Sequence, residues 1–175
     1  MASAAPPGPD DFRRVMARWA TGVSVVTARD GVTDAGLTVN GFLSISLRPP
    51  SVLVSLTEDV DTLPVLERSG WFGVNFLAAD QRALSDRFAR NDPSETKFRD
   101  LPIHRAPHGT PLLGETLGAL ECRVVARTPV SDHVLVVGEV TYLEAGRNDL
   151  PLVFFRSAYA APEGSDRLKF PAGRP

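Results

Sequence analysis

Side chains that could act as acids, bases or metal ligands are few and scattered in this sequence. The chain has three histidines and one cysteine, Cys122. His104 and His108 lie close together in a polar segment, but no third ligand is arranged around them. We therefore expect solvated loop histidines there, and no metal site. Cys122 lies in a run of alternating polarity and is expected to be a small, buried hydrophobic residue.

The third histidine, His133, follows a predicted turn at Ser131 and Asp132. Taken alone, a histidine in that position is typical of a turn residue. The sequence contains no evident catalytic dyad or triad, which is consistent with chemistry supplied by a bound cofactor. No GxGxxG sequence follows a predicted strand, so a Rossmann site for a nicotinamide cofactor is excluded.

Length and composition favour one globular domain. The chain has 175 residues, 43% of them hydrophobic, which excludes disorder throughout. A net charge of −2 and the lack of a basic stripe argue against binding to nucleic acid or to an anionic membrane. We find no signal peptide and no apolar stretch near the roughly 20 residues that span a bilayer. A single cysteine permits no internal disulfide, so we expect a cytoplasmic protein.

The two ends of the chain differ in composition from its middle. Residues 1–10 are rich in proline and small residues, and we interpret them as a flexible leader. Residues 161–175 are interpreted as a flexible tail, which leaves a domain at residues 11–160. Asp11 is expected to cap the first helix. Helices are predicted at residues 12–22, 62–70 and 81–90.

Short strands bounded by turn residues make up most of the remaining sequence. Runs of β-branched or alternating residues predict strands at residues 23–28, 37–47, 51–57, 71–77, 119–127, 134–143 and 152–155. Asp30 and Gly31 predict a turn after the first of these. Residues 91–111 are polar and irregular and are predicted to form a long loop. This order of elements indicates a mainly β fold with small helices, of the antiparallel barrel type.

Five segments, in this order and spacing, resemble the short-chain flavin reductases, which are the reductase partners of two-component flavin monooxygenases. They are GVSVVTARDG, GLTVNGFLSISLRPPSVLVSL, SGWFGVNFL, LSDRFA and SDHVLVVGEV. The resemblance covers roughly Phe12 to Tyr159. It implies a six-stranded antiparallel split β-barrel that forms a homodimer, with flavin at the dimer interface. It also implies hydride transfer from NADH or NADPH to FMN or FAD, and diffusion of the reduced flavin to a partner monooxygenase.

The same resemblance implies a set of site residues. In the family, the stretch that matches TVNGF lies along the isoalloxazine ring, where Gly41 would permit a close approach. The segment from Asp59 to Thr62 matches the region that receives the flavin phosphate. The implied cofactor-binding residues are Thr38, Val39, Asn40, Gly41, Phe42, Ser44, Ile45, Asp59, Val60, Asp61, Thr62 and Phe88. His133 matches a histidine near the nicotinamide and is the implied catalytic residue.

The implied phosphate region has an unusual charge. A helix that begins near Thr62 would present free N–H groups and the positive end of its dipole to a phosphate. Glu58, Asp59 and Asp61 would repel that phosphate unless their carboxylates point away. Three basic residues are candidates for a compensating charge: Arg48, Arg87 and Lys97. The sequence favours none of the three.

Two other functions stay open at this point. The chain would also suit a split-barrel protein that holds FMN tightly and acts on an organic substrate. The third candidate is a flavin-binding protein without enzymatic activity, which the acidic residues near the implied phosphate region would favour. The sequence does not distinguish FMN from FAD, or NADH from NADPH.

Overall fold

The computed structural model describes residues 6–162, which form a mainly β domain with four short helices. The helices are α1 (Pro9–Met16), α2 (Thr62–Ser69), α3 (Arg82–Phe88) and α4 (Ser94–Phe98). The strands are β1 (Thr21–Gly22), β2 (Ser24–Arg29), β3 (Asp34–Val39), β4 (Phe42–Leu47), β5 (Pro50–Thr57), β6 (Trp71–Phe76), β7 (Ile103–Arg105), β8 (Pro111–Leu113), β9 (Gly118–Val130), β10 (His133–Ala145), β11 (Val153–Phe155) and β12 (Ala158–Ala160). Among residues 6–162, no helix has the length and apolar character needed to cross a membrane.

A seven-stranded antiparallel sheet forms the body of the domain, in the order β3-β2-β6-β9-β10-β5-β4. Strands β3 and β4 follow each other in sequence, yet they lie at opposite ends of this order. The chain crosses between the two ends at Asn40 and Gly41. There the Gly41 carbonyl accepts a 2.8 Å hydrogen bond from the Ser55 N–H of β5. This corner brings the two ends of the sheet together and closes it partly into a barrel.

The predicted strand at residues 37–47 is therefore two strands, divided at Asn40 and Gly41. Only a residue without a side chain fits at the corner easily, because a Cβ on Gly41 would lie 3.0 Å from the Ser55 side chain. The division also explains why the main sheet has seven strands where the resemblance implied six. The alternation that continues through residues 37–47 gives no sign of this change of partner.

The hydrophobic core consists mainly of two clusters, to which neighbouring residues of β2 contribute alternately. Val26 belongs to the first cluster, together with Phe72 of β6 and Leu66 of α2. Val25 belongs to the second, together with Phe88 of α3. This division follows from strand geometry, since successive side chains point to opposite faces of a sheet. Helix α2 is thus anchored in one cluster, and α3 and α4 are anchored in the other.

Helix α1 differs from its prediction. It begins at Pro9, with Gly8 at its N-cap and no capping side chain. Asp11 therefore lies in the first turn, and the prediction that it caps the helix was wrong. Proline suits the first helical position because its φ is already close to the helical value. The predicted domain start at residue 11 falls inside this helix. Of the predicted leader and tail, residues 1–5 and 163–175 lie outside the described residues.

The segment 91–111, predicted to be a long loop, contains helix α4 and the β7–β8 hairpin. These elements have only three to five residues each, too few for a periodic pattern to show in the sequence. Both of its histidines have carboxylate partners: His104 Nε2 lies 3.0 Å from Glu144, and His108 Nδ1 lies 3.0 Å from the buried Glu121. Both histidines are exposed to solvent, as predicted, although His104 lies in β7 and not in a loop.

Cys122 is fully buried, as predicted. Burial raises the pKa of its thiol to about 12, which leaves the thiol protonated and unreactive at neutral pH. Within residues 6–162, no three side chains of histidine, cysteine, aspartate or glutamate are grouped so that they could hold a metal ion.

Candidate active site

Two cavities in the described part of the chain are candidates for a ligand site. We call the smaller the α2 crevice; its volume is about 560 Å³. Its walls are residues 36–38 of β3, Thr57, residues 59–62, residues 88–91 at the end of α3 and after it, and Ser94 and Lys97 of α4. We call the larger the α1 groove. Its volume is about 920 Å³, and it lies between α1 with the residues that follow it, the corner at residues 40–43, and β11.

The structure divides the implied flavin contacts between these two cavities. Six line the α2 crevice: Thr38, Asp59, Val60, Asp61, Thr62 and Phe88. Three line the α1 groove: Asn40, Gly41 and Phe42. The other implied site residues line neither cavity: Val39, Ser44, Ile45 and His133. Within one chain, therefore, the α2 crevice gathers only those implied flavin contacts that lie on β3, on residues 59–62 and on α3.

The start of α2 forms one wall of the crevice. Leu63 and Leu66 bury this helix against the core, and Gly70, with a φ of 73°, ends it. Asp61 occupies the N-cap position, but its side chain makes no capping hydrogen bond. In the first turn, the Leu63 N–H donates to the Val60 carbonyl at 3.2 Å and Pro64 has no N–H, so the buried Thr62 is the residue that can present its N–H to a ligand. Such a helix end favours an anion.

A buried cation lies in the opposing wall. Lys97 is only 8% exposed, and its Nζ donates a 3.3 Å hydrogen bond to the Gly36 carbonyl of β3. An ammonium group has three N–H donors, so this bond leaves two of them for a ligand. Within residues 6–162, no carboxylate oxygen lies within 4.0 Å of the Lys97 Nζ, the distance limit for an ion pair. Asp61 and Asp92 attract Lys97 from farther away. Burial lowers the pKa of Lys97.

The other two candidate cations lie elsewhere. Arg87 donates to the backbone carbonyls of Thr96 and Arg99, at 2.7 and 2.6 Å, and so ties α3 to α4. Arg48 is exposed after β4 and lines neither cavity. Arg90 was missed by the sequence reasoning; it lines the crevice with an exposed side chain. Its only sequence signal is its position directly after the LSDRFA segment.

Phe88 forms the floor of the crevice. It is 1% exposed, and its ring packs edge-on against Phe98, with centroids 5.1 Å apart. A Cβ on Gly36 would lie 2.8 Å from the Phe88 ring, so only glycine lets β3 cross over it at this distance. A ligand can reach only the margin of this ring. Val39, another implied contact, is also buried in the core and offers a ligand its backbone alone.

His133 lies beside the crevice. It begins β10 directly opposite Thr57, which is a wall residue. Its Nδ1 is 2.9 Å from the Asp132 carboxylate, and this hydrogen bond lowers the pKa of Asp132. If Nδ1 donates to that carboxylate, Nε2 is left as an acceptor on a half-exposed ring.

Comparison with known proteins identifies the family. Residues 16–163 match the family described as flavin reductase like domain. The chain belongs to this family. A reductase component of 4-hydroxyphenylacetate 3-monooxygenase from Thermus thermophilus is 37% identical over 148 residues, which cover 85% of this chain and 93% of the relative. The FMN reductase (NADH) SmoA of Agrobacterium fabrum is 38% identical over 148 residues, covering 85% and 83%.

A solved structure agrees with these relatives. The NADH:FAD oxidoreductase SgcE6 of Streptomyces globisporus C-1027, in complex with NAD and FAD fragments, superposes with a TM-score of 0.83. It is 28% identical and covers 93% of this chain and 99% of its own. The fold class, the family and the enzyme class that the sequence predicted, a split-barrel flavin reductase, are therefore confirmed.

The crevice of this flavin reductase fits the phosphate end of a flavin. A buried ammonium with unused donors and an uncapped helix start face the same space, and both favour an anion. Asp59 and Asp61, which were expected to oppose a phosphate, are both exposed, so water screens their charges. The crevice therefore holds the positive charge that the sequence could not place.

The α1 groove of the reductase is a different kind of surface. Helix α1 buries no residue, and Phe12 of the helix and Trp19, which follows it, are 63% and 68% exposed. Met16, Phe42 and Leu43 continue this surface along the groove. Within residues 6–162, the chain leaves the apolar side of α1 uncovered. An apolar patch of this kind marks an interaction surface.

Proposed function

We propose that this protein binds FMN or FAD with the phosphate end in the α2 crevice, reduces it with NADH or NADPH, and releases it to a partner monooxygenase. One observation carries this proposal. Strand β3, residues 59–62 and the end of α3 are far apart in sequence, and each matches a flavin-contacting segment of the family. They converge on one crevice that contains a buried cation.

In this proposal the chain's own residues bind and orient the cofactor. Lys97 and the first turn of α2 attract the phosphate. The Thr38 hydroxyl donates to the Ser85 carbonyl at 2.7 Å and holds β3 against α3, which keeps the crevice in shape. The flavin supplies the hydride-accepting chemistry, so no protein acid or base is required.

We propose that His133 positions the nicotinamide. Its ring is half-exposed at the end of β10, next to a wall residue of the crevice but outside the crevice itself. A hydride donor must lie against the flavin from such a neighbouring position. An Nε2 acceptor on a ring held by Asp132 could bind an amide N–H of the nicotinamide.

We further propose a homodimer, in which a second copy covers the α1 groove and the edge strand β4. Leu43, Ile45 and Leu47 of that strand are large, exposed hydrophobic residues. The implied flavin contacts that miss the crevice, from Asn40 to Ile45, lie on this same surface. In a dimer they would be available to a flavin held by the other copy. A cytoplasmic location is also proposed, and the buried free thiol of Cys122 supports it.

The test is a matrix of six reactions on the purified full-length protein. Its visible spectrum is recorded first, and NADH or NADPH oxidation is then followed with added FMN, FAD or riboflavin. We expect oxidation that requires added flavin and saturates with it. A yellow protein that does not turn over free flavin would instead favour tightly held FMN and an organic substrate. A colourless protein that is inactive in all six reactions would favour a non-enzymatic role.

A further inference from the structure

The α2 crevice raises the question of which flavins it accepts. FMN, FAD and riboflavin share the isoalloxazine ring and the ribityl chain, and only the first two carry phosphate. Any preference among them for phosphate must therefore come from protein groups near the phosphate end. In the described chain those groups have opposite charges: Lys97 is buried and Asp61 is exposed, and both line the crevice.

We propose that Lys97 makes this crevice selective for phosphorylated flavins and that Asp61 opposes the same phosphate, so that the pair sets how tightly the flavin is held. The assignment rests on the proposed function. It assigns a specificity-determining cation and an opposing carboxylate to a site whose compensating charge the sequence left open among Arg48, Arg87 and Lys97.

The geometry of Lys97 carries the first half of the proposal. Its ammonium is removed from water yet has one hydrogen bond, to the Gly36 carbonyl, and no ion pair within residues 6–162. Keeping an unpaired ammonium in such a place destabilises the empty protein. A phosphate oxygen would provide the missing anion and acceptor. Because the charge lies in a region of low dielectric, its attraction for phosphate is stronger than that of a surface lysine.

The position of Asp61 carries the second half. Its carboxylate attracts Lys97 from beyond ion-pair distance, so it partly neutralises the cation when no flavin is bound. A phosphate in the same crevice would be repelled by that carboxylate. Since Asp61 is exposed and makes no capping bond, its effect is screened and smaller than that of Lys97. The crevice would then retain a preference for phosphate while holding the flavin loosely enough to release it.

The experiment measures the Kd of FMN and of riboflavin for wild type, Lys97→Met and Asp61→Asn, by titration of flavin fluorescence. Lys97→Met should raise the FMN Kd about tenfold, the size expected for losing a charge-assisted bond, and change the riboflavin Kd by less than about twofold. Asp61→Asn should lower the FMN Kd about two- to threefold, as expected for a screened charge, and leave riboflavin unchanged.

Two variants serve as matched controls for the change in charge. Arg99→Met removes an exposed cation directly after α4 and outside both cavities, and Glu95→Gln removes an exposed carboxylate from α4 itself. Neither should change the ratio of the two Kd values. If Lys97→Met weakens both flavins equally, or neither, the proposal is overturned. If Asp61→Asn leaves FMN binding unchanged, its second half is overturned.

Lys97→Met could fail to fold, so a second measurement uses wild type alone. Added salt should raise the FMN Kd and leave the riboflavin Kd nearly constant. Equal affinity for both flavins, with no salt dependence, would overturn the selectivity even without a variant. A wild-type protein that binds neither flavin would overturn the proposed function itself, and that result is distinct from binding both without preference.

Discussion

The α2 crevice and the α1 groove differ in size and charge, and the smaller of the two is the site proposed for the flavin phosphate. The crevice, at about 560 Å³, contains a buried cation, an uncapped helix start and two carboxylates. The groove, at about 920 Å³, is lined mostly by apolar side chains that a folded chain would normally cover. A small anionic ligand suits the first surface, and another protein surface suits the second. Volume alone would favour the groove over the crevice that we propose for the flavin phosphate.

The two regions also differ in how much their side chains contribute to the hydrophobic core. Phe88, in the floor of the crevice, belongs to the core, and its replacement should affect the whole fold. The side chains of α1 contribute nothing to the core of the described chain. Substitutions in the two regions should therefore have effects of different kinds, on stability in one case and on association in the other.

The largest expected effect is that of Phe88→Ala. Removing a fully buried ring leaves a cavity between α3, α4 and β3, and the free energy of unfolding should fall by about 3–5 kcal/mol. Denaturant unfolding measures this change. Val32→Ala, at an 87% exposed turn residue, should stay within about 0.5 kcal/mol of wild type. A similarly small loss for Phe88→Ala would mean that the ring is not the packed floor described above.

Trp19→Asp should disrupt the proposed dimer contact at the α1 groove and leave the α2 crevice unchanged. A carboxylate in place of an indole at the centre of an apolar interface should weaken dimerisation by about 2–4 kcal/mol, typical of an interface hot spot. Sedimentation equilibrium would detect the shift from dimer to monomer. Val32→Asp introduces the same charge on an exposed side chain outside the groove and should leave the dimer intact. A wild-type monomer, or an unaffected Trp19→Asp dimer, would refute the proposed second copy.

The same contrast explains how far the sequence could be interpreted. Alternation and β-branched runs predicted the strands that pair locally, and Gly70 predicted the end of α2 because its left-handed φ favours glycine. The corner at Asn40 and Gly41 was missed, since it depends on the close approach of Ser55 from another strand. Tertiary contacts of this kind leave no periodic pattern.

For the site, family segments placed the crevice, but only the structure selected its cation. From the sequence alone, Arg48, Arg87 and Lys97 are equally suitable as the cation that binds a phosphate. Lys97 differs because α4 packs against β3 and carries its ammonium into the wall, and α4 is too short to be predicted from periodicity. The surroundings of α1 could not be predicted for a related reason: an amphipathic pattern shows that one face of a helix is apolar, but not which chain covers that face.

His133→Ala tests whether a residue outside both cavities takes part in the reaction. The KM for NAD(P)H should rise about tenfold, or kcat should fall by that factor, as expected for one lost hydrogen bond, while the flavin Kd stays nearly constant. Steady-state kinetics and a flavin titration give the two readings. His104→Ala removes another half-exposed histidine with a carboxylate partner, outside both cavities, and should leave both readings unchanged. Unchanged kinetics for both substrates in His133→Ala would end its proposed role.

The smallest expected effect is a change of flavin preference with pH. Burial lowers the pKa of Lys97, so raising the pH removes its charge earlier than for a lysine in water. The charged and titratable groups that face it are Asp59, Asp61, Arg90 and Asp92. A flavin phosphate, whose second pKa is about 6, remains a dianion at alkaline pH.

Affinity for FMN should therefore fall a few-fold as the pH rises into the alkaline range, and this loss should begin at a lower pH than the titration of a lysine in water. Riboflavin shares any titration of the ring itself, so its Kd, measured over the same range, isolates the contribution of the phosphate. Lys97→Arg provides the decisive variant, because a guanidinium keeps its charge at these pH values. In that variant the alkaline loss of FMN affinity should disappear. If instead the loss persists in Lys97→Arg, or occurs equally for riboflavin, the titrating group lies outside the crevice and Lys97 does not control the preference.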